Sequence, residues 1–121
     1  MGAVLWVALG GALGAMLRYA AVQWVMRLHP SPFPLGTLLV NGVGALLMGM
    51  LMARLTAHPN EPMRLLLATG VLGGFTTFSA FAWDILQQWQ RGEIGQALGY
   101  MVASVGVSLL AVALGFWWIR A

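Results

Sequence analysis

Gly70-Val71-Leu72-Gly73-Gly74-Phe75-Thr76-Thr77-Phe78-Ser79-Ala80-Phe81 occupies the middle of an uncharged run from residue 65 to residue 83. About 20 apolar residues carry a helix across a bilayer core. The run is therefore long enough to span, and this string falls near its centre. Three glycines and two adjacent β-branched threonines make a poor helix interior. The string predicts a span whose helix breaks over residues 73–79. At membrane depth, backbone groups freed by a break must face protein, water or an ion. If two copies brought their breaks together on a twofold axis in the membrane plane, the carbonyls would form a cage for a small cation. The Gly70/Gly74 spacing equally fits close helix contact through small residues, and the string by itself does not choose between the two.

Outward from this run, the chain is apolar almost throughout. Residues 1–17, 30–53 and 94–119 carry no charged side chain, and the apolar pattern of the first continues past Arg18. The predicted architecture is all-α: one transmembrane domain over residues 1–121, with spans at 3–26, 35–53, 63–88 and 94–119. The short polar/apolar alternation of a spanning barrel is absent. Of 121 residues, 60% are hydrophobic and 7% charged, against roughly 45–50% and about 25% in soluble domains. Mean hydropathy is +0.84. These values exclude a soluble globule, a disordered tail and a coiled coil. The links are short. One holds Pro30, Pro32 and Pro34, the next His58, Pro59, Asn60, Glu61 and Pro62, and the last turns around Gly92. Trp24, Trp89, Trp117, Trp118 and Tyr19 fall towards span ends, as in an aromatic belt. The first span lacks the basic flank of a signal peptide and runs too long for one.

There is no cysteine, hence no disulfide and no thiolate metal site. Six arginines face three acids, too few and too scattered for a nucleic-acid surface. Their placement says more than their number. Arg54, Arg64 and Arg120 lie on one side of the membrane, and Arg27 and Arg91 on the other, with Arg18 within reach of the latter side. Orientation follows Lys/Arg asymmetry, and here there is almost none. Either one arginine decides a single orientation, or copies insert both ways and pair antiparallel.

Several polar residues fall inside spans. Gln96, Tyr100, Ser104 and Ser108 recur every four residues and form one slowly drifting stripe about 18 Å long. Such a stripe suits a wet path, and it also suits hydrogen bonding between helices. Thr37 and Asn41 share a face of the second span, where an asparagine needs a partner. Phe78 and Phe81 are three apart. Ring edges carry the positive part of the aromatic quadrupole and can face an anion, although phenylalanine more commonly fills space. Gly10-Gly11-Ala12-Leu13-Gly14 ends four residues before Arg18 and reads as a packing face. Arg18 and Asp84 are the ionisable groups best placed to lie within spans, and the sequence gives neither a partner.

These pieces resemble the Fluc (CrcB-type) fluoride channels. The matching runs are Gly10-Gly11-Ala12-Leu13-Gly14 through Arg18-Tyr19, Pro34-Leu35-Gly36-Thr37-Leu38 with Asn41 and Gly44, and Gly73-Gly74-Phe75-Thr76-Thr77-Phe78-Ser79-Ala80-Phe81. The resemblance covers nearly the whole chain. It implies a multi-pass protein of the cell inner membrane, built as an antiparallel, dual-topology homodimer. It implies passive, selective export of fluoride through two pores, with a structural sodium ion (Na+) at the dimer centre. Carried over residue by residue, the sodium ligands are the carbonyls of Gly73 and Thr76. The fluoride path takes in Asn41, Thr37, the ring edges of Phe78 and Phe81, and Tyr100, Ser104 and Ser108. Arg18 matches the family's first-span arginine, with its role left open. Ala80 departs from the hydroxyl residue of many members, while the phenylalanine spacing is kept.

Other functions fit less well. A proton-coupled four-span exporter needs a titratable carboxylate in a span, usually the first, and residues 3–26 contain none. A subunit that only packs against partners explains the glycines and Asn41 but not the even polar stripe. An enzyme finds no nucleophile elbow, phosphate loop or His/carboxylate cluster. The near-equal arginine count predicts that a C-terminal tag reports from both sides of the membrane in a cell-surface accessibility assay. A strictly one-sided signal contradicts dual insertion.

Overall fold

A computed structural model describes residues 1–120, and among these every regular element is helical. Helix α1 is Gly2–Leu28 and α2 is Leu35–Ala57. The third span, Glu61–Gln90, is in two halves. Its first half, α3, covers residues 61–75 through Glu61–Met63, Arg64–Leu72 and Gly73–Phe75. Its second half, α4, is Ser79–Gln90, and α5 is Ile94–Arg120. All four spans are long and apolar enough to cross a membrane. Each begins or ends a few residues beyond the predicted limits, because interfacial turns keep helical hydrogen bonds outside the apolar run.

Local chemistry explains the ends. Asn60 accepts the Met63 N–H at 3.0 Å, and Pro62 sits in the first turn of α3, where a missing N–H costs nothing. At the other end of that span Gly92 has φ +79°. Its N–H donates to the Trp89 carbonyl at 3.0 Å, and the Glu93 N–H donates to that of Gln88 at 2.9 Å. This pair of bonds is the glycine-closed helix end that turns the chain straight into α5.

The stretch Arg64–Leu72 is π-helical, and the Gly73 N–H still reaches the Ala68 carbonyl five residues back. A wider coil of this kind is uncommon and usually marks a functional region. Nothing in the composition of residues 64–72 announces it. The break itself is narrower than predicted. Gly73–Phe75 continue the helix, and only residues 76–78 leave it, with Thr76 extended at φ −90°, ψ 159°.

Glycines decide how closely the helices approach. A Cβ on Gly10 would strike the backbone of Leu66 and Gly70. One on Gly14 would strike Val71, and one on Gly74 would lie 2.6 Å from the Gly11 carbonyl. The glycine run of α1 is thus seated directly on the backbone of α3. On the other side, Gly49 meets the backbone of Val112 and Phe116, and Gly115 meets that of Leu46 and Met50. These contacts lock α2 to α5 by backbone approach, the mode that drives association where lipid offers no hydrophobic gain. Gly49→Ala is expected to destabilise the protein by about 1–3 kcal/mol, because the new methyl overlaps main chain that cannot yield. Gly95→Ala, which meets nothing within 4 Å, is expected to leave the melting temperature of the detergent-solubilised protein unchanged or slightly raised.

Candidate functional site

The site begins with the break. Leaving the helix at residues 76–78 frees N–H and C=O groups that hydrocarbon cannot satisfy. Thr76 closes the first half itself: its N–H and its hydroxyl both donate to the Leu72 carbonyl at 3.0 Å. The Thr77 hydroxyl accepts the Ala80 N–H at 3.1 Å and so caps the start of α4.

The Thr77 peptide groups and the Gly74 carbonyl are served from neighbouring helices. Asn41 lies on α2, three residues before Gly44. A Cβ on Gly44 would overlap the Thr76 methyl and lie 3.3 Å from the Phe75 ring. This glycine lets α2 come close enough for a short carboxamide to reach main chain. Asn41 Nδ2 donates to the Thr77 carbonyl at 2.9 Å, and the Thr77 N–H donates to Asn41 Oδ1 at 2.8 Å. The side chain thereby pairs with one residue's backbone as a neighbouring strand would. Arg18 approaches from α1, one turn after Gly14, and its Nε donates to the Gly74 carbonyl at 3.1 Å. The partner that the sequence did not reveal for Arg18 is therefore this carbonyl. Among the described residues, no hydrogen bond runs to the carbonyl oxygens of Gly73 or Thr76.

Beside the break, a groove of about 570 Å³ opens between α2, the break and α5. It gathers Gly73, Thr76, Asn41, Phe78, Phe81, Ser104 and Ser108 from the predicted set, and among the described residues no charged side chain lines it. Ser104 is buried with its Oγ unpartnered. Phe78 is 78% exposed and Phe81 only 7%. Phe78 is the last residue of the break and Phe81 lies in the first turn of α4, so the two rings do not stack along a regular helix. They meet edge-on instead, with centroids 5.5 Å apart and planes at 63°.

Tyr100 and Thr37 lie beyond the groove lining, both buried. Tyr100 continues the line through Phe81, whose ring centroid is 5.1 Å from its own, and it packs T-shaped with Phe33 at 5.5 Å and 80°. Its hydroxyl donates to Asp84 Oδ2 at 2.9 Å. This pairing was not anticipated, although a signal for it exists in the sequence. Asp84 and Tyr100 are sixteen apart with Gly92 midway between them, which a tight antiparallel turn brings face to face.

The family described as "CrcB-like protein, Camphor Resistance (CrcB)" matches residues 5–116. The chain belongs to the CrcB-like family. A relative from Paracoccus denitrificans, named Fluoride-specific ion channel FluC, is 54% identical over 109 residues, 90% of this chain and 87% of the relative. Proteins of the same name from Rhizobium etli and Cereibacter sphaeroides are each 49% identical, over 95% and 93% of this chain and 94% and 90% of theirs. With four spanning helices, this CrcB-like chain is a multi-pass protein of the cell membrane.

The double bond of Asn41 gives a direct test of what holds the break. Asn41→Leu leaves the Thr77 N–H and C=O unpaired in apolar surroundings and is expected to destabilise the protein by about 2–6 kcal/mol, at roughly 1–3 kcal/mol per orphaned group. Asn41→Asp keeps an acceptor for the N–H but sets a carboxylate against the Thr77 carbonyl oxygen, and a charge buried without a partner costs more than a neutral group, so at neutral pH a loss at least as large is expected. Thermal unfolding of the purified proteins measures the order.

Proposed function

We propose that two copies of this chain, inserted in opposite directions, form a dimer that lets fluoride pass passively and selectively out of the cell across the inner membrane. The observation that carries this reading is the lining of the groove: neutral hydrogen-bond donors and aromatic edges, with no fixed cation. Relatives at about half identity that are named fluoride-specific channels support it.

The second copy follows from solvation. In a lone chain the groove, with Thr76, Thr77, Ser108 and the unpartnered carbonyls, would open on lipid, where polar groups are costly. A second copy covers it. The charge pattern fits both orientations, since Arg54, Arg64 and Arg120 lie at one end and Arg27 and Arg91, with Arg18 within reach, at the other, close to the balance that leaves orientation undecided.

Fluoride is small and strongly hydrated, so a dry apolar pore would reject it. Ser108, Ser104 and Tyr100 offer hydroxyls about 6 Å apart along α5, and Ser104 Oγ has no protein partner to give up. Asn41 spends one Nδ2 proton on Thr77 and keeps the other for the groove. The edges of Phe78 and Phe81 add weak attraction. Thr37 lies one turn from Asn41 on the same helix and extends the polar line. Tyr100 donates to the Asp84 carboxylate, so its hydroxyl reaches a passing anion by exchanging that partner. Several modest sites let an ion both enter and leave.

The carbonyls of Gly73 and Thr76 fit a sodium ion, because they are hard oxygen donors left without hydrogen bonds beside the break. Together with the same carbonyls of the second copy they would hold it. Once bound, the ion supplies a positive charge that offsets the converging carbonyl dipoles.

Purified protein in liposomes is expected to release fluoride much faster than chloride, measured with ion-selective electrodes; equal rates overturn the reading. Phe78→Ile and Phe81→Ile are each expected to lower fluoride flux roughly two- to tenfold with the dimer intact, the range set by an edge interaction of ~0.5–1.5 kcal/mol.

A further inference from the structure

Among the described residues, two side chains bury polar atoms that have no partner: Ser104 through Oγ, and Gln88 through both Nε2 and Oε1. Ser104 lines the groove. Gln88 does not, and it is fully buried in α4. An unpaired amide inside a membrane protein is expensive, and each such group calls for a specific explanation.

Its position supplies one. Phe81, Asp84 and Gln88 stand at i, i+3 and i+7 of α4 and so share one face. That face meets α5. Phe81 touches the Tyr100 ring, and Asp84 accepts the Tyr100 hydroxyl. Gln88 follows one turn later, towards the Gly92 end. Glu93 fixes it against the first turn of α5, donating its N–H to the Gln88 carbonyl at 2.9 Å and accepting the Ala97 N–H at 3.0 Å. Ala97 is itself buried, and the Gln88 carboxamide has no hydrogen-bond partner on this closed side of the bundle. The Tyr100–Asp84 pair is therefore flanked by two unpartnered buried polar groups: Ser104 on the groove side, and Gln88 one turn of α4, about 6 Å, on the other side.

We propose that the anion path does not end at Tyr100 but continues to Gln88, whose Nε2–H group donates to fluoride between the Tyr100–Asp84 pair and the Gly92 end of the bundle. The proposal rests on the fluoride-channel reading. It gives the anion a neutral donor on leaving the neighbourhood of the Asp84 carboxylate, where a purely apolar exit would hold it back.

Fluoride efflux from liposomes, with thermal unfolding of the same dimers, tests this. Gln88→Met keeps the size and removes the donor. Flux is expected to fall about tenfold, the loss of one hydrogen bond to a charged group, while the melting temperature holds or rises because an orphaned polar group is gone. Gln88→Glu, which replaces the donor with a second carboxylate near Asp84, is expected to lower flux at least as far. If the parent conducts and Gln88→Met conducts at the same rate, Gln88 only fills space or holds a static water, and the proposal is overturned. Should Gln88→Met fail to form dimers, unchanged flux in Gln88→Glu overturns it instead. A parent that passes no fluoride removes the channel reading and this proposal together, a result told apart by the parent's own trace.

Discussion

A helix interrupted inside a hydrocarbon slab must hand its freed N–H and C=O groups to some other partner. In this protein the handover at the break centres on Asn41 and Thr77, paired through two hydrogen bonds between a side-chain amide and a backbone peptide. Arg18 takes the Gly74 carbonyl from the opposite side, and the two threonines close their own half-helices. With those groups satisfied, the carbonyls of Gly73 and Thr76 are left without hydrogen bonds beside a groove lined by the edge-on rings of Phe78 and Phe81. Whatever passes or binds there depends on Asn41, Arg18 and the two threonines holding the break in this shape.

The glycines make this handover geometrically feasible. An asparagine side chain is short, and it reaches the Thr77 backbone only because Gly44 carries no Cβ where the Thr76 methyl lies. Arg18 arrives at Gly74 because Gly10 and Gly14 allow α1 to rest on the main chain of α3. The glycine excess that looked like packing is therefore also the reason the polar site exists. At Gly74, close packing and a polar contact sit on the same residue. That residue contacts the Gly11 backbone and offers its own carbonyl to Arg18.

Much of the fold was legible in the residues. Uncharged runs marked four helices, since burying a charge in lipid costs far more than any local preference. The Gly73 to Thr77 composition marked the third helix as breakable. The width of the break was not legible, because whether Gly73–Phe75 stay helical depends on tertiary packing, here against the Gly11 and Gly14 backbone of α1. The π-helical coil of Arg64–Leu72 left no trace in residue types, since a change from four- to five-residue hydrogen bonding alters no hydrophobic period strongly enough to read. The pairing of Tyr100 with Asp84 was within reach from the turn at Gly92, yet it needed the side-chain geometry to become a bond.

The sequence alone determined the solvent of this protein, the number of its crossings and the place where one crossing would fail. Those depend on transfer free energies and backbone propensities, which belong to residues taken one at a time. Only the tertiary structure decided which side chains repair the failure and which polar atoms remain without a partner. A hydrogen bond needs two groups within about 3 Å, and residues 18, 41, 74 and 77 acquire that proximity only when three helices close on one another through their glycines.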